Sequence, residues 1–437
     1  MTKAVIDLVP PQVPQGRPTT WHNPRRVTTV DALARSPIGV ADIAAAEHQW
    51  TRCAPLLAKL FPELGASGGR IASSLVDLDS ALARAVVGDT ATVTTRATPR
   101  VLVKTDHALP VTGCIKARGG VHEVLWFALE VAHAAGFARD ADTRELASPA
   151  WRARFARHAV LVGSTGNLGF SVGLIARALG FAAEVHLSRD AKAWKKDRLR
   201  ALGVQVVEHP GDYTTAVAAA RERAAATPGA HFVDDETSPH LFVGYATAAA
   251  ELAAQLDAIG VRPSVDAPLV VWLPCGVGGA PGGVTTGLAQ RFGDAVRAVW
   301  VEPTASPCML LQLAAGADAH VSVRDVGLDN VTVADGLAVA EASRYVAAAC
   351  GGLVDAVVTV DDVTMLAWVR RLWREAGLRL EPAAAAGFAA CAQAVAGARA
   401  GGAVARPTWA PPDAVHVIWT TGGALLPEAV FAGLLEA

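Results

Sequence analysis

The stretch AVLVGSTGNLGFSVGLIARALGFAAEVHLS, residues 159–188, decides the fold. It opens with a short apolar run closed by Gly163, which reads as a buried strand. Ser164, Thr165 and Asn167 follow, side chains suited to capping a helix. Apolar residues then recur at helical spacing as far as Gly180, a natural helix stop. FAAEVHLS, residues 181–188, is the next strand. Strand, helix and strand in this order make a right-handed βαβ unit on a parallel sheet.

The same rhythm extends outward. DAKAWKKDRLRALG (190–203) starts with Asp and ends with Gly, as a helix does, and VQVVEH (204–209) is a third strand. YTTAVAAARERAAA (213–226) is a helix and HFVDD (231–235) a fourth strand. Residues 268–303 repeat the pattern: strand LVVWLP, a glycine loop, a helix and strand VRAVWVEP. AVHVIWTTGGALLPE (414–428) reads as a last strand running into a turn. The expected architecture is a three-layer α/β protein with a smaller βαβ domain inserted in a larger one. The small domain takes residues 157–238 and the large one 91–156 and 239–437. Residues 1–90 join the large domain as a Pro-rich surface arm (1–30) followed by Ala- and Leu-rich helices (31–90).

Composition narrows the functional classes. The 437 residues are 52% hydrophobic and 18% charged, with 39 basic against 41 acidic side chains. A net charge of −2 gives no electrostatic reason to expect nucleic acid or an anionic membrane as partner. The N-terminal residues lack the apolar core of a secretory signal. The longest uncharged stretch, 267–290, holds six Gly and three Pro, too many for a membrane helix. Cysteines 53, 114, 275, 308, 350 and 391 are scattered with no C-x-x-C, which suits buried reduced thiols. The expectation is a cytoplasmic protein acting on a small molecule, as a monomer or small homo-oligomer.

Four stretches carry chemistry. GSTGNLG (163–169) lies at a strand–helix junction, where backbone N–H groups bind anions such as a carboxylate; plain helix capping fits equally well. CGVGGAPGG (275–283) is a second such junction. It fails as a dinucleotide fingerprint, because Pro281 stands where the third Gly belongs, and it has no lysine for a Walker loop. It remains either a cradle for one phosphate or a tight packing turn. Lys116, in VTGCIKARGG (111–120), sits among small residues. A lysine in a confined site is a nucleophile toward carbonyls, whereas a lone lysine is more often a surface residue. Lysine and single-phosphate cradle together point to pyridoxal 5′-phosphate, whose aldehyde forms a Schiff base with the amine. The glycines after Lys116 are expected to leave room for the flat ring. In WTTGG (419–423), Thr421 either reaches a ring nitrogen or simply ends its strand.

PVTGCIKARGGVHEVL, GSTGNLGFSVG, AWKKDRLRALGVQVVEH, LPCGVGGAPGGVTTGL, EPTASPCMLL, DNVTVADGLAV and RLEPAAAAG occur in that order. Together they resemble the bacterial D-serine dehydratases (D-serine ammonia-lyases), pyridoxal-phosphate enzymes of the tryptophan synthase β-like fold, fold type II. The resemblance runs from about residue 90 to the C-terminus. It implies Lys116 as the internal-aldimine lysine, Asn167 at the cofactor's 3′ oxygen and Thr421 at the pyridine nitrogen. It places Gly276, Val277, Gly278, Gly279 and Ala280 around the phosphate, and Ser164, Thr165 and Gly166 at the substrate carboxylate. The implied reaction is β-elimination of D-serine to pyruvate and ammonia through aminoacrylate, with Lys116 or Thr165 handling the Cα proton. D-threonine is a further candidate substrate. A monovalent cation such as K⁺ is also implied, with Glu302 as a ligand or merely as a turn cap. Ala280 and Ala424 depart from the family's glycines; wherever φ must be positive, alanine would cost about 1 kcal/mol or more. An L-serine or threonine dehydratase, or a serine racemase, would use the same chemistry. A non-catalytic pyridoxal-phosphate-binding protein is the reading from another class; a nucleotide-binding α/β protein is disfavoured by the failed glycine fingerprints.

Overall fold

Apolar runs bounded by glycine and polar caps become two sheets. The structure, a computed structural model, describes residues 6–88, 100–164, 166–189, 191–211, 213–396 and 407–436. Among them the strands are β1 (Thr19–His22), β2 (Leu75–Asp77), β3 (Val101–Lys104), β4 (Ala159–Gly163), β5 (Ala182–Ser188), β6 (Gln205–His209), β7 (Ala230–Val233), β8 (Leu269–Pro274), β9 (Val296–Pro303), β10 (Val354–Val360) and β11 (Val415–Trp419). The small sheet has the order β6-β5-β4-β7 and is parallel throughout. The large sheet has the order β1-β10-β9-β8-β11-β3-β2, parallel except at its two edges.

The helices that shape the site are α1 (Lys116–Ala134), α2 (Asn167–Leu179), α3 (Ala193–Ala201), α4 (Tyr213–Ala225), α5 (Pro239–Ala246), α6 (Gly279–Phe292), α7 (Cys308–Ala315) and α8 (Pro382–Cys391). Every residue of β8 and β10 is buried, as central parallel strands require. Alternate side chains serve two cores. Leu269, Val271 and Leu273 join α1, α5 and α6 on one face, and Val270 and Trp272 join α8 on the other. This is the expected three-layer arrangement.

The sheet edges differ from the sequence reading. Thr19–His22, inside the stretch read as a surface arm, pairs antiparallel with β10 and buries Trp21. Leu75–Asp77, inside the stretch read as helical, pairs antiparallel with β3. Strands of three or four residues are too short to show period-two alternation, so only the neighbouring strand fixes them.

Candidate active site

Ligands in parallel α/β folds collect at the carboxyl ends of the strands. Here β4, β7, β8 and β11 all end at one cavity. At β11, the Ile115 N–H donates to the Thr421 carbonyl at 2.8 Å, and Cys114 bridges to Gly422. Helix α1 therefore starts, with Lys116, beside the end of β11.

A buried charge cluster supports that junction. Arg118 donates to Asp106 at 2.6 and 2.8 Å and to Glu251 at 3.0 Å. The Trp419 indole donates to Asp106 at 2.8 Å, and Lys104 also contacts Glu251. Burial pushes the Asp106 carboxyl up, but the Arg118 charge overrides it and holds the group below its ordinary value. The glycines after Lys116 serve packing and not ring clearance. A Cβ on Gly119 would come within 2.5 Å of Tyr245, and one on Gly120 within 3.2 Å of Leu168 and Val172. They let α5 and α2 close onto α1.

Strand β8 ends in the second glycine loop. Gly278 caps α6 with φ +114°, and a Cβ there would lie 2.4 Å from the Met309 methyl. The N–H groups at this helix start make an anion cradle. Ala280 lies in the first turn of α6, and neither it nor Ala424 has positive φ; among described non-glycine residues only Val111 and Asn330 do. The strain foreseen for these alanines does not arise: Ala280 sits in a helical first turn, which accepts alanine, and Ala424 in a turn without positive φ.

At the end of β4, the Ser164 hydroxyl accepts from the N–H groups of Gly166 and Gly169, both at 2.9 Å. It shapes the loop from within, and the Gly166 N–H is engaged in doing so. Thr165 lies outside the described residues. Gly166 caps α2 with φ +138° beneath the Lys195 side chain. Asn167 opens α2 and donates from Nδ2 to Glu381 Oε1 at 2.9 Å. Burial raises the Glu381 carboxyl, against the pull of Lys195. Lys195 in turn donates to Asp335 at 2.8 Å. Burial opposes its charge, but Asp335 and Glu381 outweigh burial and raise its pKa.

Glu302, in β9, is fully buried. Its two oxygens accept from the N–H groups of Met309 (2.7 Å) and Leu310 (2.9 Å) at the start of α7. Burial pushes its carboxyl up to about 8 despite those bonds. Among the described residues no group of three or more His, Cys, Asp or Glu side chains stands together as a metal site.

The cavity, about 650 Å³ including the open solvent at its mouth, is lined by Lys116, Ser164, Asn167, Gly276, Gly278 and Thr421, with Val277 and Ala280 also at its wall. The Thr421 hydroxyl is buried and has no partner among the described residues. An amine, a helix-start cradle and an orphan hydroxyl in one cavity fit pyridoxal phosphate, which needs a carbonyl partner, a phosphate site and a group at its ring nitrogen. Sequence reasoning did not find Asp235, whose Oδ2 lies 3.3 Å from Lys116 Nζ, or Tyr213 and Glu381 on the same wall. The signal available was the position of Asp234–Asp235–Glu236 after β7, at the carboxyl end of a parallel strand.

Comparison with known proteins bears on this geometry. Residues 85–405 match the family described as pyridoxal-phosphate dependent enzyme. The chain is 53% identical over 420 residues to a probable D-serine dehydratase of Burkholderia pseudomallei, covering 95% of this chain and 92% of that one. It is 48% identical over 428 residues to a probable D-serine dehydratase of Chromobacterium violaceum, covering 96% and 93%. The fold is shared with diaminopropionate ammonia lyase from Escherichia coli solved in complex with D-serine (TM-score 0.71, 18% identity, 96% of this chain and 97% of that one). It is shared also with a fungal L-serine ammonia-lyase from Rhizomucor miehei (TM-score 0.61, 20% identity, 84% and 98%).

Proposed function

The chain belongs to the pyridoxal-phosphate dependent enzymes, and on that premise we propose that it converts D-serine to pyruvate and ammonia by β-elimination. The observation that carries this reading is the match at about half identity, over nearly the whole chain, to relatives named as D-serine dehydratases. The cavity supports it.

Lys116 would hold the cofactor covalently through its amine. The N–H groups from Gly276 through Val277, Gly278 and Gly279 to Ala280 would take the phosphate at the positive end of α6. Asn167 would reach the 3′ oxygen with the second Nδ2 hydrogen, since the first goes to Glu381. Thr421 would meet the ring nitrogen with its unpartnered hydroxyl. Bound pyridoxal phosphate supplies a conjugated sink for the negative charge left when the Cα proton is removed. The Lys116 amine takes that proton, and Asp235, 3.3 Å away, stabilises the ammonium so formed. The loop around Ser164, Thr165 and Gly166 places the substrate carboxylate at the start of α2. Thr421 is neutral, so it does not force a proton onto the ring nitrogen as a carboxylate would.

A monovalent cation such as K⁺ beside Glu302 belongs to the same reading. A cation there favours the charged carboxylate that burial opposes. K⁺ is therefore expected to raise the melting temperature of the native protein and not of Glu302→Gln; equal shifts in both would remove Glu302 from the assignment.

The deciding experiment is pyruvate release from D-serine and, separately, L-serine, with Lys116→Ala as control. Release from D-serine is expected, falling by about 10³-fold or more in the control. A preference for L-serine would keep the chemistry and overturn the substrate.

A further inference from the structure

Two polar atoms in the cavity, Asp235 Oδ1 and the Tyr213 hydroxyl, are not used by the roles above. Asp235 follows β7 and Tyr213 opens α4; both line the cavity that holds Lys116. Asp235 spends Oδ2 on Lys116, while its Oδ1 is buried with no hydrogen-bond partner among the described residues. The Tyr213 hydroxyl is likewise buried and unpartnered, on a residue 7% exposed. Asp235 also stands against the phosphate cradle: a Cβ added to Gly279 would lie 3.4 Å from Oδ1.

Buried polar atoms are almost always satisfied, so two orphans lining one cavity ask what completes them. Oδ1 of a carboxylate only accepts. Burial pushes the Tyr213 phenol far up, and the nearby Asp235 charge adds to that, so the phenol keeps its proton and can donate. An alcohol can give a hydrogen to the one and take a hydrogen from the other.

We propose that Asp235 and Tyr213 form the seat for the substrate's β-hydroxyl. The inference rests on the D-serine reading and deepens it, since it makes this pair the reason for choosing hydroxy amino acids. Asp235 accepts the hydroxyl hydrogen and fixes the rotamer about Cα–Cβ. Tyr213 donates to the hydroxyl oxygen, which assists its departure. The proton that converts the leaving hydroxyl to water comes from the Lys116 ammonium, which gained it from Cα, so the pair consumes no proton and needs no co-reactant.

The test compares D-serine with β-chloro-D-alanine, whose chloride offers no hydrogen to Asp235 and leaves without being protonated. Tyr213→Phe and Asp235→Asn are assayed on both, with cofactor binding followed by absorbance titration and folding by thermal unfolding. Tyr213→Phe keeps the packed ring and so guards against a variant that merely fails to fold. The expected result is a fall of about 10- to 100-fold in kcat/KM for D-serine in each variant, with a several-fold smaller loss on β-chloro-D-alanine and, in Tyr213→Phe, unchanged cofactor affinity. Equal losses on the two substrates would overturn the hydroxyl seat while leaving the D-serine reading intact. No pyruvate from D-serine with the native protein would overturn that reading itself, and this proposal with it.

Discussion

At the residue scale, the orphan hydroxyl of Thr421 makes a distinctive prediction. A buried hydroxyl without a partner costs free energy, and a partner at the ring nitrogen returns it. Thr421→Val is therefore expected to leave the cofactor-free protein as stable as the native one, or more so by up to about 1 kcal/mol. The same variant should bind cofactor about 5-fold more weakly, a loss of about 1 kcal/mol. Denaturant unfolding without cofactor and absorbance titration with it read the two effects separately. His122 makes the second. Its Nδ1 hydrogen bonds the His240 carbonyl at 2.9 Å, and burial drives its pKa down to about 4. The unfolded chain binds a proton near pH 6.5 and the folded one does not. The stabilisation is complete above about pH 6.5 and is lost as pH falls from there toward 4. Stability against urea should decline over that window by roughly 3 kcal/mol on account of His122. His122→Asn, which keeps a donor and does not titrate, should flatten that part of the profile.

At the element scale, two nearby positions of the glycine loop and helix after β8 behave oppositely. Gly278 carries the left-handed backbone that turns β8 into α6, whereas Ala280 already belongs to the helix. Gly278→Ala meets both a forbidden φ and the Met309 methyl, so it should cost about 2 kcal/mol or more and weaken cofactor binding. Ala280→Gly has no strain to relieve and should cost up to about 1 kcal/mol through lost helix propensity. Melting temperatures of the pair, with and without cofactor, check this; a gain from Ala280→Gly would show that alanine is strained there after all.

At the scale of the whole molecule, the cavity lies between elements of the two sheets, and polar contacts such as Asn167–Glu381 and Lys195–Asp335 tie its sides. Lys195 on α3 pairs with Asp335, whose charge also acts on Glu381. Lys195→Met removes the counter-ion of a mostly buried carboxylate. It should destabilise the protein by about 1–3 kcal/mol, less than a fully buried pair because Lys192 remains 3.6 Å from Asp335. Adding Asp335→Asn should recover part of the loss, since no uncompensated charge is then left, and the double-mutant cycle in denaturant measures the coupling.

Local pattern by itself determined much of this protein. Residues 159–188 encode their own strand, cap, helix and strand, because burial periodicity and capping act over a few residues. The glycines within 276–279 and the small residues around Lys116 pointed to two stretches that line the candidate cavity, for the same reason. The rest was decided by partners distant in the chain. Thr19–His22 is a strand only because β10 lies beside it. Asp235 matters only because β7 ends opposite α1. Asn167 is oriented by Glu381, more than two hundred residues later. Ala280 proved unstrained because the left-handed turn falls at Gly278 and the helix has begun by Gly279. Such facts depend on which backbone ends meet, and that meeting is a property of tertiary packing: no window of sequence contains both members of the pair.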